Sequence, residues 1–176
     1  MIWIDKYKPI NIKEYEHTES IKNLLNNIIN KQYMPNILLY GPSGSGKSSA
    51  AYIISKNITN IESILYINAS DEKGIKTIRE RIKTFTNIKS KNIKMIILDE
   101  ADELSEESQL ALRKIIELKS SNIRFIIICN YINNIINSLK SRFLNIKLNR
   151  LNIEDINKVC NKIINRENII INEDTK

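Results

Sequence analysis

The run GPSGSGKS at residues 41–48 constrains this chain more than any other feature. It matches the pattern GxxxxGK[ST] in full and stands between a short apolar run, residues 36–40, and a helical stretch, residues 47–56. Glycines let such a loop curl so that successive backbone N–H groups face inward around phosphate oxygens. The helix that follows adds its positive N-terminal end to the same anion site. Lys47 is then placed to reach the β- and γ-phosphates of a nucleotide, and the Ser48 hydroxyl to ligate Mg²⁺. The expected binding set is Gly41, Pro42, Ser43, Gly44, Ser45, Gly46, Lys47, Ser48 and Ser49, with ATP and Mg²⁺ as ligands.

The rest of the chain reads as the scaffold such a loop requires. Residues 19–31 carry apolar side chains at helical spacing, with Thr18 as N-cap. Strands are expected at 36–40, 63–67, 92–98, 123–129 and 143–148, and helices at 75–89, 105–118 and 153–166. Glu106 and Glu107 fall in the first turn of the 105–118 helix, where carboxylates favour the helix dipole. Continuous apolar strands separated by helices imply an α/β fold, a five-stranded parallel sheet between helices. The pattern changes near residue 150, which sets a nucleotide-binding domain at 1–150 and the beginning of a helical domain at 151–176.

Composition narrows the partners. Lys and Arg total 27 against 20 Asp and Glu, a net charge of +7, which suits phosphate-bearing partners. Cys129 and Cys160 lack CxxC spacing and are expected as buried free thiols in a reducing compartment. No apolar run approaches the ~18 residues of a membrane span, so a soluble, intracellular protein is expected.

Other residues add chemistry at strand ends. Asp99 and Glu100 follow the 92–98 strand, at the edge where open α/β sheets present ligands. Asp99 is expected to hold Mg²⁺ largely through its water shell, and Glu100 to polarise the attacking water. Asn130 closes the next strand, either orienting that water or as an ordinary strand-ending amide. Arg142 has no evident partner within the chain, and reads either as a surface arginine or as a finger reaching a neighbouring subunit's nucleotide. Helix 75–89 sets an apolar stripe (Ile75, Ile78, Ile82, Phe85) beside a basic one (Lys76, Arg79, Lys83, with Arg81 offset). That basic stripe suits a nucleic-acid backbone, and a solvated helix face accounts for it as well. Arg113 and Lys114 carry the same two readings.

Taken in order, these residues resemble the ATPase domain of the replication factor C family, the small subunits of sliding-clamp loaders among AAA+ proteins. The segments that carry the resemblance are Trp3-Ile-Asp-Lys-Tyr7-Lys-Pro9, the loop itself, Asn68-Ala-Ser-Asp71-Glu-Lys-Gly74-Ile75, Leu98-Asp-Glu-Ala-Asp102, Ala111-Leu-Arg113-Lys114, Cys129-Asn130-Tyr131 and Ser141-Arg142-Phe143. The resemblance implies an AAA+ fold with the start of a helical lid, and a γ-phosphate sensor at Asn130. It implies that Arg142 acts in trans, that Trp3, Tyr7 and Pro9 lie near the adenine, and that Lys73, Gly74, Ile75 and the basic residues of helix 75–89 face primer–template DNA through its backbone. The implied partners are other loader subunits in a hetero-oligomeric ring, the sliding clamp and that DNA, at sites of DNA replication (the nucleus, or a viral replication compartment). Lys8, Ser43, Ser45 and Phe143 depart from the family's usual Arg, Pro, Thr and Cys. Residues 151–176 resemble only the beginning of the lid, without its later arginine or the C-terminal collar, so a fragment or a shortened form is expected. An ATP-bound scaffold subunit that only lends Arg142 is the alternative. A helicase is a further one, prompted by Asp99-Glu-Ala-Asp102, but Cys129-Asn130-Tyr131 stands where a helicase of that type carries Ser-Ala-Thr.

Overall fold

The computed structural model describes residues 3–30, 34–71, 74–90, 92–118 and 122–169. The chain opens with α1 (Trp3–Lys6), a 3-10 turn (Ile12–Glu14) and α2 (Glu19–Asn30). Next, β1 (Ile37–Tyr40) runs into the glycine loop and α3 (Lys47–Ile58). Then come β2 (Ile64–Asn68), α4 (Ile75–Asn87), β3 (Lys94–Asp99), α5 (Glu106–Leu118), β4 (Ile123–Cys129), α6 (Asn137–Lys140), β5 (Leu144–Lys147) and α7 (Ile153–Glu167). The five strands form one sheet in the order β2-β3-β4-β1-β5, every pair parallel.

Alternation along the strands explains their unbroken apolar sequence. Successive side chains point to opposite faces, and here both faces are covered. Leu38, Ile96, Leu98, Phe125 and Ile127 meet Ile78 and Ile82 of α4 and Leu112 and Ile116 of α5 on one side. Ile37, Leu39, Met95, Ile97, Ile126 and Ile128 meet α2 and α3 on the other, against Leu25, Ile28, Ala50, Ala51, Ile53 and Ile54. Asn36 staples the sheet at the start of β1: its carbonyl accepts from Leu144 N at 2.8 Å and its side chain accepts from Phe125 N at 2.9 Å.

Two expectations need correction. Cys129 is buried as expected, but Cys160 is exposed. Its helix, α7, buries only Asp155 among its described side chains, so helical context brought no burial. The 75–89 helix also ends earlier, at Asn87, with Ile88 already extended (φ −67°, ψ 124°). The cause is Lys94, expected only as part of an apolar strand. It is buried, and its ammonium donates to the carbonyls of Phe85, at 2.5 Å, and Ile88. A cation on the last carbonyls of a helix satisfies orphan acceptors and favours the dipole.

Candidate functional site

Parallel pairing places the carboxyl ends of β1, β3 and β4 side by side, with β4 between the other two. Each end turns into a loop bearing one group of the site. The turn after β1 is set by backbone conformation. Gly41 has φ +146°, and a Cβ there would lie 2.0 Å from the Leu148 carbonyl oxygen, so only glycine fits. Gly46 (φ +82°) precedes α3 under the Tyr15 hydroxyl, which donates to its carbonyl at 3.3 Å. Lys47 is the first residue of α3 and is 7% exposed. Its ammonium donates to Gly41 O (2.8 Å), Pro42 O (2.8 Å) and the Asn130 side-chain oxygen (2.9 Å). Burial holds the ammonium below its ordinary pKa, and the Asp99 charge opposes that shift.

Asp99 ends β3, and both of its carboxylate oxygens are occupied. Oδ2 accepts from Ser48 Oγ at 2.9 Å and from the Tyr66 hydroxyl at 2.5 Å; Oδ1 accepts from Glu100 N at 2.9 Å. Burial, then the bond to Asp99, raises the Tyr66 phenol above its ordinary pKa and keeps it a donor. Glu100 adopts φ 54°, ψ 40°, one of two described non-glycine residues at positive φ. That conformation turns the chain sharply at the strand end and presents Glu100 beside Asp99 in the same cavity.

Asn130 is aimed by residues that motif spacing does not show. Asp102 Oδ2 accepts from the backbone N–H groups of Asn130 (3.0 Å) and Tyr131 (2.9 Å). Gln109 of α5, 2% exposed, donates to Leu104 O (3.1 Å) and Asn134 O (2.8 Å) and accepts from Ile136 N (2.9 Å). The segment between β4 and α6 is thus tied down at both ends. A polar residue on the apolar-facing side of an amphipathic helix is the signal that points to Gln109.

One cavity of about 360 Å³ is walled by Ser43, Gly44, Gly46, Lys47, Ser48, Ser49, Asp99, Glu100 and Asn130. Gly41 and Pro42 contribute the carbonyls behind Lys47, and the Ser45 hydroxyl is buried without a protein partner. The donors fit the expected ligands. A hydroxyl 2.9 Å from a carboxylate offers hard oxygen donors of the kind Mg²⁺ takes alongside phosphate and water oxygens. Among the described residues, the ammonium of Lys47 faces only neutral acceptors within hydrogen-bond distance, which a phosphate can replace.

The remaining candidates lie elsewhere. Trp3 is half exposed, the Tyr7 hydroxyl donates to Glu167 at 2.6 Å, and neither these residues nor Pro9 walls the cavity. Lys76, Arg79 and Lys83 are exposed on α4, Gly74 caps its start, and Ile75 packs on the core. Arg81 instead donates to Tyr66 O at 3.2 Å on the edge strand. Lys73 lies outside the described residues.

Arg142 does have a partner within the chain, contrary to expectation. Its Nε donates to Glu117 at 2.7 Å, and Arg113 Nε donates to the same carboxylate oxygen at 3.0 Å. The pairing spans 25 residues and arises because α6 packs on α5, so spacing could not reveal it. The two guanidinium groups hold the Glu117 carboxyl below its ordinary pKa, Arg113 contributing most. Lys114 stays exposed beside them.

Comparison with known proteins adds four findings. The family model described as "ATPase family associated with various cellular activities (AAA)" matches residues 37–151. The chain is 36% identical over 180 residues to "Replication factor C small subunit 2" of Pyrobaculum islandicum, covering 99% of this chain and 56% of that protein. It is 37% identical over 182 residues to "Replication factor C subunit 3" of Schizosaccharomyces pombe, covering 99% and 53%. The chain therefore spans about half the length of these curated relatives. Among solved structures, the RuvB Holliday junction branch migration motor of Thermotoga maritima superposes with a TM-score of 0.73 at 18% identity, over 94% of this chain and 56% of that one. That likeness bears on the fold alone.

Proposed function

This chain belongs to the AAA family of ATPases, and on that premise we propose that it binds and hydrolyses ATP with magnesium as the nucleotide-binding part of a sliding-clamp loader subunit. The observation that carries this is the joining of three strand ends: Lys47 to Asn130 at 2.9 Å and Ser48 to Asp99 at 2.9 Å. A phosphate-holding loop, a carboxylate and a neutral amide converge there on one cavity.

Lys47 exchanges its loop carbonyls for the β- and γ-phosphates, which frees the Asn130 amide to meet the γ-phosphate. Ser48 and Asp99 would hold magnesium, which would supply charge neutralisation on the phosphates. Glu100 accepts a hydrogen bond from the attacking water and draws its proton as the water oxygen bonds to the γ-phosphorus. The bond to the bridging oxygen breaks, leaving ADP and phosphate. Arg142 completes the site of a neighbouring subunit rather than its own, leaving Glu117 to do so. Trp3, Tyr7 and Pro9 lie toward the adenine. Lys73, Gly74, Ile75, Lys76, Arg79, Arg81, Lys83, Arg113 and Lys114 serve primer–template DNA inside a hetero-oligomeric ring that also holds the clamp. Residues 1–150 form the nucleotide-binding domain and 151–176 the start of a lid.

Glu100→Gln in the assembly formed with its partner subunits tests the hydrolytic role. Turnover at this site should fall ~10²–10⁴-fold while ATP binding persists. An unchanged rate would leave the chain a nucleotide-holding scaffold.

A further inference from the structure

We propose that Tyr66 is a positioning residue for the magnesium-holding carboxylate, fixing through its hydroxyl which oxygen of Asp99 faces the cation's water shell. This rests on the magnesium–ATP reading of the site. A carboxylate offers roughly four acceptor positions, two on each oxygen. Ser48 Oγ and the Tyr66 hydroxyl fill both on Oδ2, at 2.9 and 2.5 Å, and Glu100 N takes one on Oδ1 at 2.9 Å. One position, on Oδ1, is left for a metal-bound water. Without the Tyr66 hydroxyl a second position opens on Oδ2, and the carboxylate can turn or admit a competing water.

The placement of Tyr66 argues against a packing role. It lies on β2, an edge strand, and is 46% exposed. It pairs in register with Ile97, two residues before Asp99, so its side chain must lean along the sheet to reach the carboxylate. Arg81 of α4 donates to the Tyr66 carbonyl at 3.2 Å and anchors the backbone beneath it. An exposed aromatic ring at a sheet edge gains little from burial; its polar tip makes the specific contact.

Groups that orient a metal's direct partners typically change metal affinity by ~10–100-fold when removed. The test is a Mg²⁺ titration of ATP binding, read with a fluorescent ATP analogue, on the wild-type chain and on Tyr66→Phe, Tyr66→Leu and Ser48→Ala. Both Tyr66 variants should need about 10-fold more Mg²⁺ for half-saturation. Analogue binding in EDTA should stay at its wild-type value, and the Tm of Tyr66→Phe should fall only by the several °C that one lost hydrogen bond to a carboxylate accounts for. A shift in Tyr66→Leu without one in Tyr66→Phe would assign the effect to the ring and overturn the proposal. So would unshifted titrations in both variants while Ser48→Ala loses its Mg²⁺ dependence, with the magnesium–ATP reading left standing. Wild-type binding indifferent to Mg²⁺ would remove that reading and the Tyr66 proposal together.

Discussion

The two groups of catalytic candidates are held in different ways. At the carboxyl end of the sheet, Lys47, Asp99 and Asn130 are fixed by hydrogen bonds to buried or backbone partners, and Lys47 and Asp99 are themselves buried. On the α5–α6 rim, Arg142 pairs with Glu117, whose side chain is 40% exposed and also takes Arg113, and donates besides to the Ser138 carbonyl of its own short helix. A buried, hydrogen-bonded network keeps one geometry even with Ser45 Oγ and Asp102 Oδ1 unpartnered, whereas exposed ion pairs exchange readily with water and other anions. On the proposed reading, the buried end binds nucleotide by itself, and Arg142 exchanges Glu117 for a neighbouring subunit's phosphate.

The largest expected effect tests this division. Arg142→Ala should lower turnover at the neighbouring subunit's site by ~10³-fold or more, as for arginine fingers generally, while ATP affinity of the separate chain is unchanged. Weaker ATP binding by the separate chain would place Arg142 in its own site and erase the distinction.

The next effect lies at the buried end. Asp102→Ala removes a charged acceptor from the Asn130 and Tyr131 N–H groups. Hydrogen bonds to charged groups contribute about 1.5–3 kcal/mol each, so losing the two should lower Tm by roughly 6–24 °C, with ATP turnover reduced as Asn130 loosens. An unchanged Tm in thermal unfolding would mean that this end is not rigidified by its network.

These two residues also show what sequence reading reaches. The glycine loop, Asp99 and Glu100 are legible because their chemistry is local: a loop runs straight from β1 into α3, and two carboxylates follow a strand. The strands are legible for a related reason, since covered faces demand continuous apolar runs. Asp102 is visible only as part of an acidic cluster, because its partners are backbone groups 28 and 29 residues away. Lys94 looks like an interruption in β3 and proves to be the cap of α4. Tyr66 reads as one more strand aromatic, its hydroxyl acting across the sheet on a residue 33 positions on. Each of these three is a tertiary hydrogen bond, which periodicity does not encode.

A smaller effect belongs to the exposed face of α4. Arg79→Ala and Lys83→Ala should each weaken binding to primed DNA a few-fold, with little dependence on base sequence. Each should also reduce the slope of log affinity against log salt by about 1. Unchanged affinity and slope in both variants would assign those side chains to solvent.

Glu117→Gln should have the least effect on stability, and its size decides how firmly the rim is made. Exposed ion pairs are weakly stabilising and screened by salt, so Tm at neutral pH should stay within about 2–4 °C of wild type. The pH dependence has a definite sign. Because the folded protein holds the Glu117 carboxyl below its ordinary pKa, its contribution is present at neutral pH. It fades as pH falls below the ordinary glutamate range and through the depressed folded value, and high salt should flatten the change. An amide cannot titrate, so the Glu117→Gln variant should lose that part of the acid sensitivity. Were Glu117→Gln to cost as much Tm as Asp102→Ala, the rim would be as rigid as the buried end. Arg142 would then be clamped in place within its own chain, with no release for a neighbour's phosphate to exploit.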